Sequence, residues 1–487
     1  MTQKNLRRTA LAAAAFVTVL SASSLEAKSK KPAAPLTPWE QADSIVNAIR
    51  RTSFPDRTYR ITDFGALAMT PDRPVQLAHD AINLAIVTCS QAGGGTVVIP
   101  DSTYLTGPIT MLSNVNLHLE DGAVLKFSTD YNLYYPAVLT RWEGIDCYNA
   151  HPLIYAYGAQ NIALTGKGTL DAQGSNENWW AMCGAAKYGW VPGKIAQKNG
   201  ARAQLLKWGE SKTPVYQRVF GPLDGMRPQF VNFYRCNTVL IEDVTLLNSP
   251  FWVLHPLMTD DLIVRGVTIN NDGPNGDGCD PESCNRVLIE GCTFNTGDDC
   301  IAIKSGRNED GRKWGIPSQN IVVRKCHMAN GHGGIVIGSE ISGGYRNLYC
   351  EDCTMDSPNL DRVVRIKTSS CRGGVIENVY VRNIEVGQCR EAVLRINLDY
   401  EAKEACQRGF IPTVRNVQLE NVNCKKSQYG VLFIGLEDQS NIYDIQVKNS
   451  RFDGVTKNGN SLKGKFHNVT FDNMLINGTA CPSPADK

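Results

Sequence analysis

A ten-residue pattern recurs through the second half of the chain, and it constrains the fold more than any other feature. It reads NTVLIEDVTL from Asn237, DDLIVRGVTI from Asp260, NRVLIEGCTF from Asn285, QNIVVRKCHM from Gln319, RNLYCEDCTM from Arg346 and ENVYVRNIEV from Glu377. Weaker copies begin at Arg415, Tyr443 and His467. Positions three and five are apolar, six and seven are mostly polar, and position ten is apolar. Apolar residues two apart mark a strand, and the polar pair turns the chain into a second short strand. Copies lie 23 to 38 residues apart, and the tightest leave no room for a helix inside the repeat. Stacked coils of an all-β parallel β-helix satisfy this pattern, each repeat forming one coil about 4.8 Å from the next.

Position eight carries Cys292, Cys326 and Cys353 in successive copies, which reads as an interior ladder of small apolar groups. Disulfides between consecutive coils are the rival reading. Upstream, LAHDAINLAIVTC places Leu77, Ala81, Leu84 and Ala85 at helical spacing, and a helix there caps the open end of the solenoid. The repeat stops between Gly174 and Arg227, a long segment that carries Trp179, Trp180, Trp190 and Trp208. These rings either line an end subsite for a sugar or form a packing layer.

Lys4, Arg7 and Arg8 precede an apolar run that ends near Leu20, and LEA up to Ala27 fits a cleavage site. The expected organisation is therefore a signal peptide (1–27), a lead-in (28–58), a β-helix catalytic domain (59–480, insertion about 174–227) and a tail (481–487). Such a chain is exported, to the periplasm or beyond. A formal charge of +2 gives no whole-molecule attraction to nucleic acid or membrane, and the chain reads as a monomer.

The chemistry concentrates where FNTGDDCIAIKSG sets Asp298 and Asp299 at the mouth of an apolar run. Aligning the blocks that follow each repeat puts DCIAIKS (from Asp299) above DGCDPES (from Asp277) and below GGIVIGS (from Gly333) and RVVRIKT (from Arg362). In that register Asp277 lies beneath Asp299, Asp298 lies beneath His332, and Arg365 and Lys367 follow on the same face. A protonated and an ionised carboxyl together perform glycoside hydrolysis. Crowded like charges push their pKa values apart and supply both states. An Arg and a Lys beside them suit a sugar that carries a carboxylate, as in pectin.

Over roughly Asp63 to Thr479 the chain resembles glycoside hydrolase family 28, the polygalacturonases, through NGDG, GDDC, GHGG and RIK. The resemblance implies a right-handed parallel β-helix, inversion at the anomeric carbon, and no metal or other cofactor. It implies Asp298 as general acid, Asp277 and Asp299 as the pair that activates water, and His332 as the residue that tunes the acid. It implies Arg365 and Lys367 as ligands of the galacturonate carboxylate, with Tyr400 matching a family tyrosine. Gly276 stands where the family has Thr, and Val336 where Ser is common. Inversion predicts a gap of about 6.5–9.5 Å from Asp298 to a water-activating carboxylate. The insertion, together with NNDGPNGDGCDPESC, resembles exo-acting and bacterial members. The expected substrate is pectin or polygalacturonate. Rhamnogalacturonan or another uronic polymer is an alternative, as are a Ca-dependent pectate lyase and a non-catalytic glycan-binding β-helix.

Overall fold

The computed structural model describes residues 35–487, and Pro38–Lys487 form one compact unit. The expected signal peptide lies outside the described residues. Three ladders of parallel strands run along the body. The first takes the opening strand of each repeat: Asn237–Glu242 pairs with Asp260–Arg265, that strand with Asn285–Glu290, and so on to His467–Ile476. The second takes the short strands after the corner, such as Thr245–Leu247, Thr268–Asn271 and Thr293–Thr296. The third runs Ile301–Ile303, Ile335–Gly338, Arg362–Lys367, Ala392–Asn397 and Tyr429–Ile434.

Each repeat bends at two residues with positive φ, its second and seventh. The seventh is Asp243, Gly266, Gly291, Lys325, Asp352, Asn383 and Asn421 in successive coils. The second is often asparagine, which tolerates the left-handed region. Asn347, Asn378 and Asn416 each donate a side-chain hydrogen bond to the asparagine one coil below, at 2.7–2.9 Å. Inward-facing Val, Ile and Leu fill the coil interior. Cys292, Cys326 and Cys353 are buried there and unbonded, as the ladder reading expects. The disulfide among the described residues lies elsewhere, between Cys371 and Cys406.

Helix α1 (Pro38–Ala48) occupies part of the segment expected as lead-in. Ala42 and Val46, with Ile49 just beyond the helix, pack on the outward-facing Ile263, Leu288, Val322 and Tyr349 of the first ladder. That apolar outer row needs a cover, which a β-helix face lacks by itself. Helix α2 (His79–Gln91) caps the first coils, but with a face rotated from the expected one. Ala81, Ile82, Ala85, Ile86 and Cys89 are buried, whereas Leu84 is 54% and Leu77 36% exposed. At the other end, Thr479–Ala480 pairs antiparallel with the last strand, and Lys487 and Phe466 exchange backbone hydrogen bonds. These contacts cover an edge that would otherwise invite strand addition.

The segment 174–227 forms short 3-10 turns and helix α3 (Ala201–Glu210). It packs against an antiparallel hairpin that the sequence reading passed over, Val138–Trp142 with Ile145–Asn149. Trp142, Ile145, Leu205, Phe220, Phe251 and Trp252 make a small second core there. Hairpin and insertion together stand beside the third ladder.

Candidate active site

The third ladder holds the register inferred from the aligned blocks. Cys279 bridges Ile301, Ile301 pairs with Ile335, and Ile335 pairs with Val364. Asp277, Asp299 and Gly333 therefore stack, as do Asp298 and His332. The bend before the acids is sterically fixed: a Cβ on Gly297 would lie 2.5 Å from the Gly273 carbonyl oxygen. Gly276, the departure from the family Thr, has a similar cause. A Cβ there would sit 2.5 Å from Asn271 Nδ2 and 2.6 Å from the Gly273 carbonyl oxygen.

One oxygen of each of Asp277, Asp298 and Asp299 falls within 4.8 Å of the others. Adjacent coils impose this approach. It is shorter than the gap of about 6.5–9.5 Å that inversion predicts from general spacing rules, so that expectation is corrected.

The three carboxyls differ in setting. Asp298 keeps 20% of its side chain exposed. His332 Nδ1 lies 2.8 Å from Asp298 Oδ1, and the hydrogen bond and charge of Asp298 raise the His332 pKa. Asp299 is fully buried; Arg365 donates to its Oδ1 at 3.1 Å and Lys367 to its Oδ2 at 2.7 Å. Burial alone would push Asp299 up, but Lys367, Arg365 and Lys304 outweigh it and hold the group ionised, far below the usual carboxylate range. Gly333 lies between them without a side chain; its Cβ would be 3.5 Å from both Asp299 Oδ1 and Arg365 Cβ. Asp277 is nearly buried, and burial with the charges of Asp280 and Asp298 pushes it well above the usual range. The two carboxyls expected to activate water are thus pushed in opposite directions, Asp299 toward its ionised form and Asp277 toward its protonated form.

Tyr400 joins the cluster: its ring centroid is 5.3 Å from Lys367 Nζ and 5.5 Å from Arg365 Cζ. Val336 is buried in the row between Ala302 and Arg365. The tryptophans of the insertion do not line the cleft. Trp179 packs edge-on against Tyr131 and Tyr134, and Trp208 lies tilted against Phe220. Tyr188, Gln197, Lys198 and Arg202 of the same insertion line a cavity of about 300 Å³ with Asp298 and His332. Across the cleft, Arg307 is held by Glu143 of the hairpin, Glu340, Glu401 and Glu404 at 2.8–3.4 Å.

The sequence reading also missed Lys304, Glu143 and Arg307. Lys304 was legible in principle, because the aligned blocks set it level with Glu282 and Lys367.

The family profile described as "Glycosyl hydrolases family 28" matches residues 223–481, the coils that carry this cluster. The chain belongs to glycosyl hydrolase family 28. A solved structure, "a hyperthermoactive Exopolygalacturonase from Thermotoga maritima", superposes with a TM-score of 0.85 at 39% identity, covering 91% of this chain and 96% of that one. An "Exo-poly-alpha-D-galacturonosidase" of Dickeya chrysanthemi is 23% identical over 89% of this chain and 73% of its own length. A "Probable polygalacturonase" of Vitis vinifera is 28% identical over 66% of this chain; the match spans 60% of that relative's length. This family 28 chain is therefore a glycoside hydrolase built as a parallel β-helix. No helix among its described residues is long and apolar enough to cross a membrane.

Proposed function

We propose that this family 28 enzyme hydrolyses the α-1,4-galacturonosidic bonds of polygalacturonate by a single displacement with inversion, working from chain ends. The observation that carries the reading is the division among three carboxyls on two coils. Asp298 faces the cleft with His332 upon it, while Asp277 and Asp299 lie buried beneath, with Arg365 and Lys367 alongside.

The Asp298–His332 pair delivers a proton to the leaving glycosidic oxygen. Asp277 and Asp299 hold the water that attacks the anomeric carbon and receive its proton. Both Asp299 oxygens are engaged by cations, and Asp277 is 3% exposed and ion-paired to Lys304, a setting that suits holding a water better than covalent attack on the sugar. That favours direct attack by water despite the short carboxyl spacing. Arg365 and Lys367 have further donors for the uronate carboxylate, with the Tyr400 ring beside them. This set gives a metal-dependent elimination little support: the acids are already matched by Lys304, Arg365 and Lys367.

The exo reading rests on the insertion and the hairpin, which set Tyr188, Lys198, Arg202 and Glu143 against the acid side of the groove. A walled groove takes a terminus. The relatives named exopolygalacturonase agree with it. Incubation with polygalacturonate and a chelator tests the chemistry. Saturated galacturonate is expected; ultraviolet-absorbing unsaturated ends, or loss of activity with chelator, contradict it.

A further inference from the structure

Lys304 enters the reading above only as a charge that balances the acids, yet it is more enclosed than Arg365 or Lys367, with 3% of its side chain exposed against 8% for each of them. It follows the strand Ile301–Ile303 and bridges Glu282 one coil below. Its Nζ lies 3.2 Å from Glu340 Oε2, 3.3 Å from Asp280 Oδ1 and 3.6 Å from Asp277 Oδ2. The same ammonium stands 4.5 Å from the centroid of the Trp252 ring, which shields it from water. Asp280 is wholly buried, and neither of its oxygens has a well-aligned hydrogen-bond partner.

We propose that Lys304 is a positioning residue for hydrolysis, whose ammonium keeps the Asp277–Asp280 pair from taking up a second proton and so leaves Asp277 an ionised oxygen for the attacking water.

The inference rests on the reading of Asp277 as a water-activating group. Asp277 faces Asp280 on its own loop, Asp298 and Asp299 on the coil above, and Lys304. Lys304 in turn faces Glu340, which is itself held by Arg307, and it feels the more distant Lys367 and the His255–Glu282 pair. Asp299 has Arg365 and Lys367 as its own cations, whereas the ion-paired cation at Asp277 is Lys304. Burial pushes the Asp280 carboxyl to about 8 and raises Asp277 as well, so at weakly acidic pH both carboxyls compete for protons, and a state with only one proton between them needs the opposing charge of Lys304 at 3.3–3.6 Å. When water is activated that proton rests on Asp280, and the proton leaving the water passes to the Asp277 oxygen. A lysine with 3.2–3.6 Å contacts to both carboxylates and to Glu340 opposes a second protonation through charge alone.

The test is the pH profile of kcat/KM on polygalacturonate for K304M, K304Q and K304R, with circular dichroism melts to establish folding. Losing the cation makes the pair easier to protonate. The acid limb of both neutral variants is therefore expected to move to higher pH by about one unit or more, while K304R keeps the parent position whatever its rate. K304Q can still hydrogen-bond and carries the test if K304M does not fold. A neutral variant that loses rate equally at every pH, with the acid limb in place, overturns the role of Lys304 alone. A parent enzyme that releases no reducing ends at any pH sinks instead the reading beneath it.

Discussion

His332 Nδ1 and Asp298 Oδ1 lie 2.8 Å apart across successive coils, and the backbone repeats the link, with His332 N–H donating to the Asp298 carbonyl at 3.0 Å. Both members of the pair are exposed to the cleft. Its histidine pKa is raised, first by the hydrogen bond and then by the charge of Asp298. The stabilising contact is therefore complete below the free-histidine range and is lost as pH rises through the raised value. Activity should fall on that alkaline side. In H332A the titrating imidazole is gone, so the alkaline limb of kcat should leave its parental position and kcat should drop about 10²-fold. An unmoved limb would remove His332 from the proton path.

Asp299 differs from Asp298 in what its loss leaves behind. D299N strands Arg365 and Lys367, both more than nine-tenths buried, without their carboxylate. It should lose activity and also about 3–5 kcal/mol of stability, read by denaturant unfolding. D298N alters a 20% exposed group whose Oδ1 contacts His332 Nδ1 and accepts from the Asp299 N–H, contacts an amide oxygen can keep, so it should lose kcat at near-parental stability. Equal unfolding midpoints for the two variants would contradict the assigned division.

Lys367 holds Asp299 and, in the proposed function, the substrate carboxylate as well. K367A should raise KM and lower kcat/KM on polygalacturonate, since both carboxylates lose a donor. The parent should cut a fully methyl-esterified polymer far more slowly. Equal rates on the two polymers would remove charge recognition from the account.

Much of this site was legible because a β-helix converts sequence spacing into position. Loops between copies absorb length differences, so Asp277, Asp299, Gly333 and Arg362 could be stacked from their flanking strands alone. The side walls were not legible, because they break the repeat. The hairpin around Glu143 and Gly144 belongs to no copy of the ten-residue pattern. The insertion announced itself by its tryptophans, yet Trp179 and Trp208 pack against Tyr131, Tyr134 and Phe220, and its polar residues Tyr188, Lys198 and Arg202 reach the cleft. Helix α1 was hidden by its neighbours: the Lys- and Pro-rich stretch before it reads as loop, and its apolar face needs the outer row at Ile263 and Leu288 to be recognised. The charge balance at Asp299 escaped as well, since Arg365 and Lys367 reach it from two coils away, across the coil of Gly333.

The walls give a kinetic expectation. A groove closed by the insertion and hairpin should release short, uniform products, with reducing ends appearing well before viscosity falls. Early collapse of viscosity with a ladder of oligomers would mean an open groove.

Proton NMR of polygalacturonate digestion in its first minutes tests the central claim most directly, because it reads the anomer of the new reducing end before mutarotation. Direct attack by water held at Asp277 and Asp299 on an α-linked sugar predicts the β anomer first. Initial formation of the α anomer, or of an unsaturated end, would contradict the account.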